Sequence, residues 1–208
     1  MGGMVAYWKA GGVFMWPLLG CIIMGGAFII ERIIYFALAK VDANNFMIEL
    51  KAIIKKDNVD KGIAYCKTNR SPAARVAETA LIAYKRVGPN KMLIEDEIVR
   101  TGNTELLYLD RGMPIIAAVI SIAPVLGFLG TVSGMIHAFQ AIAIAGEVEP
   151  TLVATGISEA LITTAVGLSI AFPVQSFHVF FTMKSNTHIN DMNNTSGDVV
   201  SFLIEEKP

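Results

Sequence analysis

The sequence has little charge, and its charges are unevenly distributed. Asp, Glu, Lys and Arg make up 17% of the 208 residues, below the average of roughly 25%, whereas apolar residues make up 53%. The net charge of −1 gives no global field that would favour nucleic acid as a partner. The two cysteines, Cys21 and Cys66, lack metal-ligand spacing, and we expect two small buried residues rather than a disulfide. P-loop, G-x-S-x-G and H-E-x-x-H motifs are absent, so the sequence predicts no enzyme, cofactor or metal site.

Three long runs that are almost free of charge predict three transmembrane helices. A helix needs about 20 apolar residues to cross a bilayer core of about 30 Å. We expect the first span at residues 13–38, the second at 113–145 and the third at 151–183, where Glu159 is the one formal charge. A cleaved signal peptide, the alternative for the first run, needs a positive start and a shorter apolar core. Lys9 is the one early charge, so we favour a membrane span.

The segment between the first two spans, residues 39–112, predicts a soluble helical domain. Residues 40–110 hold twelve Lys and Arg and ten Asp and Glu, and their apolar side chains recur with helical spacing. Ser71-Pro72 predicts a helix start and Gly88-Pro89 its end, and another helix is expected from Lys91 toward Leu109. The fold class is therefore an all-α membrane protein with long second and third helices. The polar segment 184–208 is expected to end in a short amphipathic stretch.

The distribution of Lys and Arg predicts the orientation in the membrane. The turn at residues 146–150 carries neither residue, whereas the domain at 39–112 carries many and Lys184 follows the third span. Cytoplasmic segments carry the excess of Lys and Arg. We therefore expect residues 39–112 and 184–208 in the cytoplasm, and residues 1–12 and the turn in the periplasm.

Glu159 is the first candidate functional residue because a carboxylate inside a membrane helix is unfavourable by about 2.5–3.5 kcal/mol. Such residues face the bundle interior or a water path and often mark ion routes. Thr155 and Thr163 lie four residues to either side, so the three share one stripe, which Ser158 and Thr164 flank. Two alternatives stay open. Glu159 could reach headgroup water, and each hydroxyl could bond its own backbone or a neighbouring helix.

Small residues predict close packing of the second and third spans. In lipid, small side chains let helices approach closely. The second span has a stripe of Gly127, Thr131, Gly134 and Ala138, with Gly130 and Gly134 in a GxxxG step, and the third offers Gly156, Ala160, Thr164, Gly167 and Ala171. Packing accounts for the glycines but not for Thr131. The polar residues His137, Gln140, Gln175 and His178 are expected to bond between helices or face outward, and Pro124 and Pro173 are tolerated within membrane helices.

Two long motifs resemble one known family. Residues 123–135, APVLGFLGTVSGM, are similar to the second span of the MotA/TolQ/ExbB proton channel family, and residues 156–168, GISEALITTAVGL, to its third span. Glu31-Arg32, toward the end of the first span, and residues 109–114, LDRGMP, at the entry to the second also resemble it. The likeness covers nearly the whole chain and is greatest to the ExbB branch, followed by TolQ. Ser133 departs from the pattern because ExbB relatives often carry Trp there.

The resemblance implies a homopentamer in the bacterial inner membrane that encloses a dimer of single-span ExbD- or TolR-like subunits. It implies a TonB- or TolA-like transducer as a further partner, and a proton route past an aspartate of the single-span subunit. Glu159, Thr131 and Thr164 fall where the family has its pore-lining polar residues. We hypothesise that the chain couples the proton motive force to motion of a partner. A membrane scaffold that moves no ions is the alternative, and sodium in place of protons is a variant.

Overall fold

A computed structural model of the chain describes residue 8 and residues 10–39, 42–146 and 150–205. These residues are almost entirely helical and include no strand. Three of the helices, α1, α6 and α7, contain runs long and apolar enough to cross a membrane. The predicted fold class is confirmed in these respects, and the chain is a multi-pass membrane protein. The helices are α1 (Met15–Leu38), α2 (Ala43–Lys56), α3 (Val59–Thr68), α4 (Pro72–Val87), α5 (Lys91–Asp110), α6 (Met113–Ala145) and α7 (Pro150–Glu205).

The chain divides into two compact units, and the three boundaries between them fall within α1, directly before α6 and within α7. The first unit comprises Met1–Glu31 and Gly112–Phe180, and the second comprises Arg32–Arg111 and Phe181–Pro208. We call them the apolar unit and the polar unit, because the first contains most of the three apolar runs and the second contains most of the charge.

In the apolar unit, α6 begins and ends at glycines with positive φ. Gly112 precedes α6 at φ 79°, and a Cβ atom there would lie 2.8 Å from Cδ1 of Phe28. Gly146 follows α6 at φ 73° and donates its N–H to the carbonyl of Ile142. Positive φ is accessible to glycine without the steric strain that a Cβ atom adds. The predicted turn at 146–150 falls mostly outside the described residues.

In the polar unit, side-chain caps mark where four helices start. Asp42, Asn58, Ser71 and Asn90 each accept a backbone N–H from the first turn of α2, α3, α4 and α5, respectively. Such caps satisfy N–H groups that have no partner within the helix. The start of α4 at Ser71-Pro72 and its end at Gly88 are as the sequence predicts.

The core of the polar unit is built from aliphatic side chains, and α4 contributes the largest share. Fully buried residues include Leu50 of α2 and Ala77 and Leu81 of α4. Cys66 of α3 is also buried, and burial raises the pKa of its thiol to about 12, so the thiol stays protonated at neutral pH. Across α4 and α5, Arg75 forms an ion pair of 2.9 Å with the buried carboxylate of Glu105.

Arg32 fixes the end of α5 within the polar unit. Its guanidinium is almost fully buried and donates to the carbonyl oxygens of Tyr108 at 2.9 Å and Leu109 at 3.1 Å. It also lies over the ring of Tyr35, 4.7 Å from the centroid. The last carbonyls of a helix have no partner within the helix, and a cation there also suits the helix dipole.

The third long helix extends beyond the expected end of the third span. We expect the span itself to end at residue 183, and the helix continues without a break to Glu205. Polar residues after Lys184 mark where a bilayer could end, and they do not by themselves end a helix. The buried side chains of Val199, Phe202 and Leu203 anchor this last part in the core of the polar unit.

Candidate functional site

The candidate site lies along the contact between α6 and α7, where backbone meets backbone. A Cβ atom at Gly134 would lie 2.6 Å from the carbonyl oxygen of Gly156 and 2.9 Å from the nitrogen of Ala160. A Cβ atom at Gly167 would lie 2.6 Å from the carbonyl oxygen of Ala123. These distances are far below van der Waals contact, so the two helices can approach this closely only where a side chain is missing. The contact is antiparallel, and from the Ala123–Gly167 pair to the Gly134–Gly156 pair it covers roughly 16 Å of each helix at about 1.5 Å per residue.

Two threonines of α7 lie at the middle of this contact. Thr163 is fully buried, and its side chain occupies the space that a Cβ atom at Gly130 would need. Its hydroxyl lies 2.9 Å from the carbonyl oxygen of Ala160 and 3.4 Å from that of Gly127. The hydroxyl of Thr164, which is partly buried, donates to the same Gly127 carbonyl at 3.1 Å. The Thr164 hydroxyl thus joins α7 to α6, whereas the carbonyl oxygens nearest to the Thr163 hydroxyl are those of Ala160 and, at 3.1 Å, Glu159 in its own helix.

Glu159 lies one turn from Thr163, toward the start of α7. Its side chain is 17% exposed, and its Oε2 lies 3.6 Å from Nδ1 of His137 on α6, whose side chain is 59% exposed. Its Oε1 occupies the space that a Cβ atom at Gly12 would need, ahead of α1. Because Gly12 has a φ of 66°, both its backbone and its missing side chain suit the approach of this carboxylate. The carboxylate is therefore enclosed by three segments of the apolar unit.

The hydroxyls of the other two predicted threonines, Thr131 and Thr155, bond within their own helices. The hydroxyl of Thr131 donates to the carbonyl of Phe128 at 2.6 Å, and that of Thr155 to the carbonyl of Thr151 at 2.9 Å. Each bond stays within its own helix, which is the local role that hydroxyls often have in membrane helices. The structure thus brings Glu159, Thr163 and Thr164 to the α6–α7 contact, with Thr131 half-buried on α6 and Thr155 exposed.

Sequence reasoning did not assign His137 or Gly12 to the site. His137 directly precedes Ala138, which is buried in the contact, and follows Gly134 by three residues. A helical projection therefore places it beside the small-residue stripe, and this was the available signal. Nothing in the sequence around Gly12 indicates its contact with Glu159. Within the described ranges, no three His, Cys, Asp or Glu side chains cluster as metal ligands.

Comparison with known proteins identifies the family. The family model of the MotA/TolQ/ExbB proton channel family matches residues 68–194, which is more than half of the chain. This chain belongs to that family. The match includes α6 and the part of α7 that carries Glu159, Thr163 and Thr164. The resemblance that we drew from the two long motifs is therefore confirmed, including the likeness to ExbB.

Several relatives have informative names. An ExbB biopolymer transport homologue of Methanothermobacter thermautotrophicus is 25% identical over 191 residues, or 91% of this chain and 66% of its own length. The Tol-Pal system protein TolQ of Haemophilus influenzae is 36% identical over 101 residues, or 49% of this chain and 44% of its own. The biopolymer transport protein ExbB of Neisseria gonorrhoeae is 28% identical over 148 residues, or 66% of this chain and 67% of its own. The chain thus spans 44% to 67% of the length of these relatives.

Proposed function

We propose that this chain is an ExbB- or TolQ-like channel subunit that couples the proton motive force to mechanical work on an energy-transducing partner. Five copies in the inner membrane would surround a dimer of single-span ExbD- or TolR-like subunits, which in turn drive a TonB- or TolA-like transducer. Residues 1–12 and 146–150 would face the periplasm, and residues 39–112 and 184–208 the cytoplasm. The observation that carries the proposal is Glu159, a mostly shielded carboxylate on a membrane-length helix of a proton channel family member.

The hydroxyl of Thr164 is suited to receive a proton donor. It donates its own hydrogen to the carbonyl of Gly127, which leaves its oxygen lone pairs as acceptors. A protonated carboxyl group on a single-span partner could therefore donate to Thr164, whereas an ionised carboxylate could not. Thr164 would distinguish the two protonation states of the partner, and the half-buried Thr131 would complete the wall, with the buried Thr163 packed behind it. Glu159 would set the local field or take up the proton itself.

Large apolar side chains lie exposed on the surfaces of α6 and α7. Phe128 and Phe139 on α6 and Leu161 and Phe172 on α7 are each more than 60% exposed in the single chain. Within a membrane such residues face lipid or other subunits.

The membrane potential would supply the energy for the proposed work, because it provides about 2.3 kcal/mol per charge per 100 mV. Repeated proton transfers would bias a two-state motion of the partner.

The proposal is tested with Glu159→Gln and Thr164→Val in proteoliposomes that hold the complex with a coexpressed single-span ExbD- or TolR-like subunit. Both variants are expected to reduce partner-dependent proton influx, because one removes the charge and the other the lone pairs. Ser176→Ala is the control, since the hydroxyl of Ser176 also donates to a backbone carbonyl, but to that of Phe172 within α7 and not to α6. Undiminished influx in both variants would refute the mechanism.

A scaffold that conducts no ions is the second candidate, because the hydroxyls of Thr131 and Thr155 bond within their own helices. It predicts no proton influx in the wild-type complex, with or without the single-span subunit. Sodium as the coupling ion is tested by changing the sodium gradient at a constant pH gradient. If ion influx follows the sodium gradient and not the proton gradient, sodium is the coupling ion.

A further inference from the structure

The contact of His137 with Glu159 is not explained by helix packing. The close approach of α6 and α7 is accounted for by the glycines between Gly127 and Gly167, and His137 lies beside that line. Among the residues that the structure describes, His137 is the titratable group within ion-pair distance of Glu159. Lys9, Glu147 and Glu149, which are nearby in sequence, lie outside the described residues.

The two members of this pair differ in exposure. The side chain of His137 is 59% exposed, and that of Glu159 is 17% exposed. An ion or proton that arrives from outside the chain therefore meets the imidazole first. Gly12 covers the other carboxylate oxygen of Glu159, so His137 lies on the open side of the carboxylate.

The charge states of the pair also favour a shared proton. When the imidazole is neutral and the carboxylate is ionised, the pair carries one negative charge. An uncompensated charge is unfavourable in an apolar surrounding. One added proton makes the pair neutral overall, whether it lies on the imidazole or on the carboxylate. The Nδ1–Oε2 distance of 3.6 Å is longer than a hydrogen bond, so transfer requires a small closure or one water between them.

We propose that His137 and Glu159 form a proton-sharing pair across α6 and α7, in which His137 takes up protons from outside the chain and passes them to Glu159. The inference rests on the proposed channel function and adds a residue that relays the proton. In the transfer, the N–H bond at Nδ1 of the imidazolium breaks and an O–H bond forms at Oε2 of Glu159. The imidazole is left neutral with its remaining proton at Nε2, and a new proton that binds at the vacant Nδ1 resets the relay.

The test compares wild type with His137→Asn in the proteoliposome complex with the single-span subunit. Asn keeps a polar group near the position of Nδ1 but binds no proton. Positioned acid–base groups typically contribute at least about 100-fold to proton transfer, so a loss of at least about tenfold in influx is expected. The dependence of influx on outside pH should also become weaker, because the proton-accepting imidazole is gone. His137→Gln is the second variant, in case Asn disturbs assembly.

Gln140→Asn is the matched control, because Gln140 is exposed on the same helix one turn later. It should leave influx and its pH dependence unchanged. If His137→Asn keeps both the rate and the pH profile of wild type while Glu159→Gln loses influx, the relay is refuted and the channel function stands. If Glu159→Gln also keeps wild-type influx, the channel function itself fails. A size-exclusion profile equal to that of wild type confirms that each variant is assembled.

Discussion

The apolar and polar units are both helical, yet their helices are held together by different means. In the apolar unit, α6 and α7 approach so closely that a Cβ atom at Gly134 would overlap the backbone of Gly156. In the polar unit, Leu81 and other aliphatic side chains fill the space between helices, and ion pairs such as Arg75–Glu105 bridge them. The starts of the helices differ too, since Asn58 caps α3 with its side chain and Gly112 gives α6 no side-chain cap.

The difference follows from the solvent. Water drives apolar side chains together, so large residues stabilise the polar unit in proportion to the area they bury. Lipid is as apolar as leucine, so the helices of the apolar unit gain stability from close contact and hydrogen bonds instead. One consequence is functional, because a close contact with few large side chains leaves room for the polar groups of Glu159, Thr163 and Thr164. The two units should therefore respond to opposite kinds of mutation.

Removing a large side chain should have its greatest effect in the polar unit. Leu81→Ala is expected to destabilise that unit by about 2–5 kcal/mol, because Leu81 is fully buried and a cavity would remain. Alkylation of the buried Cys66 in increasing urea, in the detergent-solubilised full chain, reports unfolding of this unit. The neighbouring Ile82→Ala is the control, since Ile82 is 44% exposed. Equal urea midpoints of alkylation for the two variants would contradict the claim that buried side chains stabilise the polar unit.

Adding one carbon atom should have its greatest effect in the apolar unit. Gly134→Ala is expected to destabilise the α6–α7 contact by about 1–3 kcal/mol, because its Cβ atom meets backbone atoms that cannot rotate away. The temperature at which the detergent-solubilised protein precipitates should fall. Gly26→Ala is the control, because nothing lies within 4 Å of the position of its Cβ atom. If both variants precipitate at the same temperature, the close contact does not stabilise the unit.

Loss of a side-chain cap should have a smaller effect, confined to the polar unit. Asn58→Ala removes the acceptor for the N–H of Lys61 and is expected to cost about 1 kcal/mol. Asn58→Asp keeps an acceptor and should behave as wild type. The Cys66 alkylation midpoint measures the change, while alkylation of Cys21 in the apolar unit should stay unaffected. A shift at Cys21 of the same size would mean that the two units do not respond separately.

Much of the polar unit could be predicted from local signals. Ser71-Pro72 and Gly88 gave the bounds of α4, because caps and breakers act through the backbone within a few residues. The end of the third long helix could not be predicted in this way. The polar residues after Lys184 indicate that the chain leaves an apolar environment, but they do not stop the helix. There, the burial of Phe202 and Leu203 in the polar unit depends on residues far away in sequence.

The candidate site was predictable where it depends on rare residues and not where it depends on three-dimensional neighbours. Glu159 is conspicuous as a lone carboxylate in an apolar run, and the glycines indicate close packing. The sequence alone could not decide whether the hydroxyl of Thr131 lines a pore or bonds within its own helix, as it does to the carbonyl of Phe128. The contacts of His137 and Gly12 with Glu159 join three separate segments, and no local pattern encodes them.

Proton influx driven by a fixed membrane potential tests the central claim, that Glu159 is the functional carboxylate of a proton-coupled channel. The measurement compares wild type, Glu159→Gln and Glu159→Asp in vesicles that hold the complex with the single-span subunit. We predict partner-dependent influx in wild type, its loss in Glu159→Gln and partial recovery in Glu159→Asp, which restores the charge on a shorter side chain. Wild-type influx in Glu159→Gln would contradict the account.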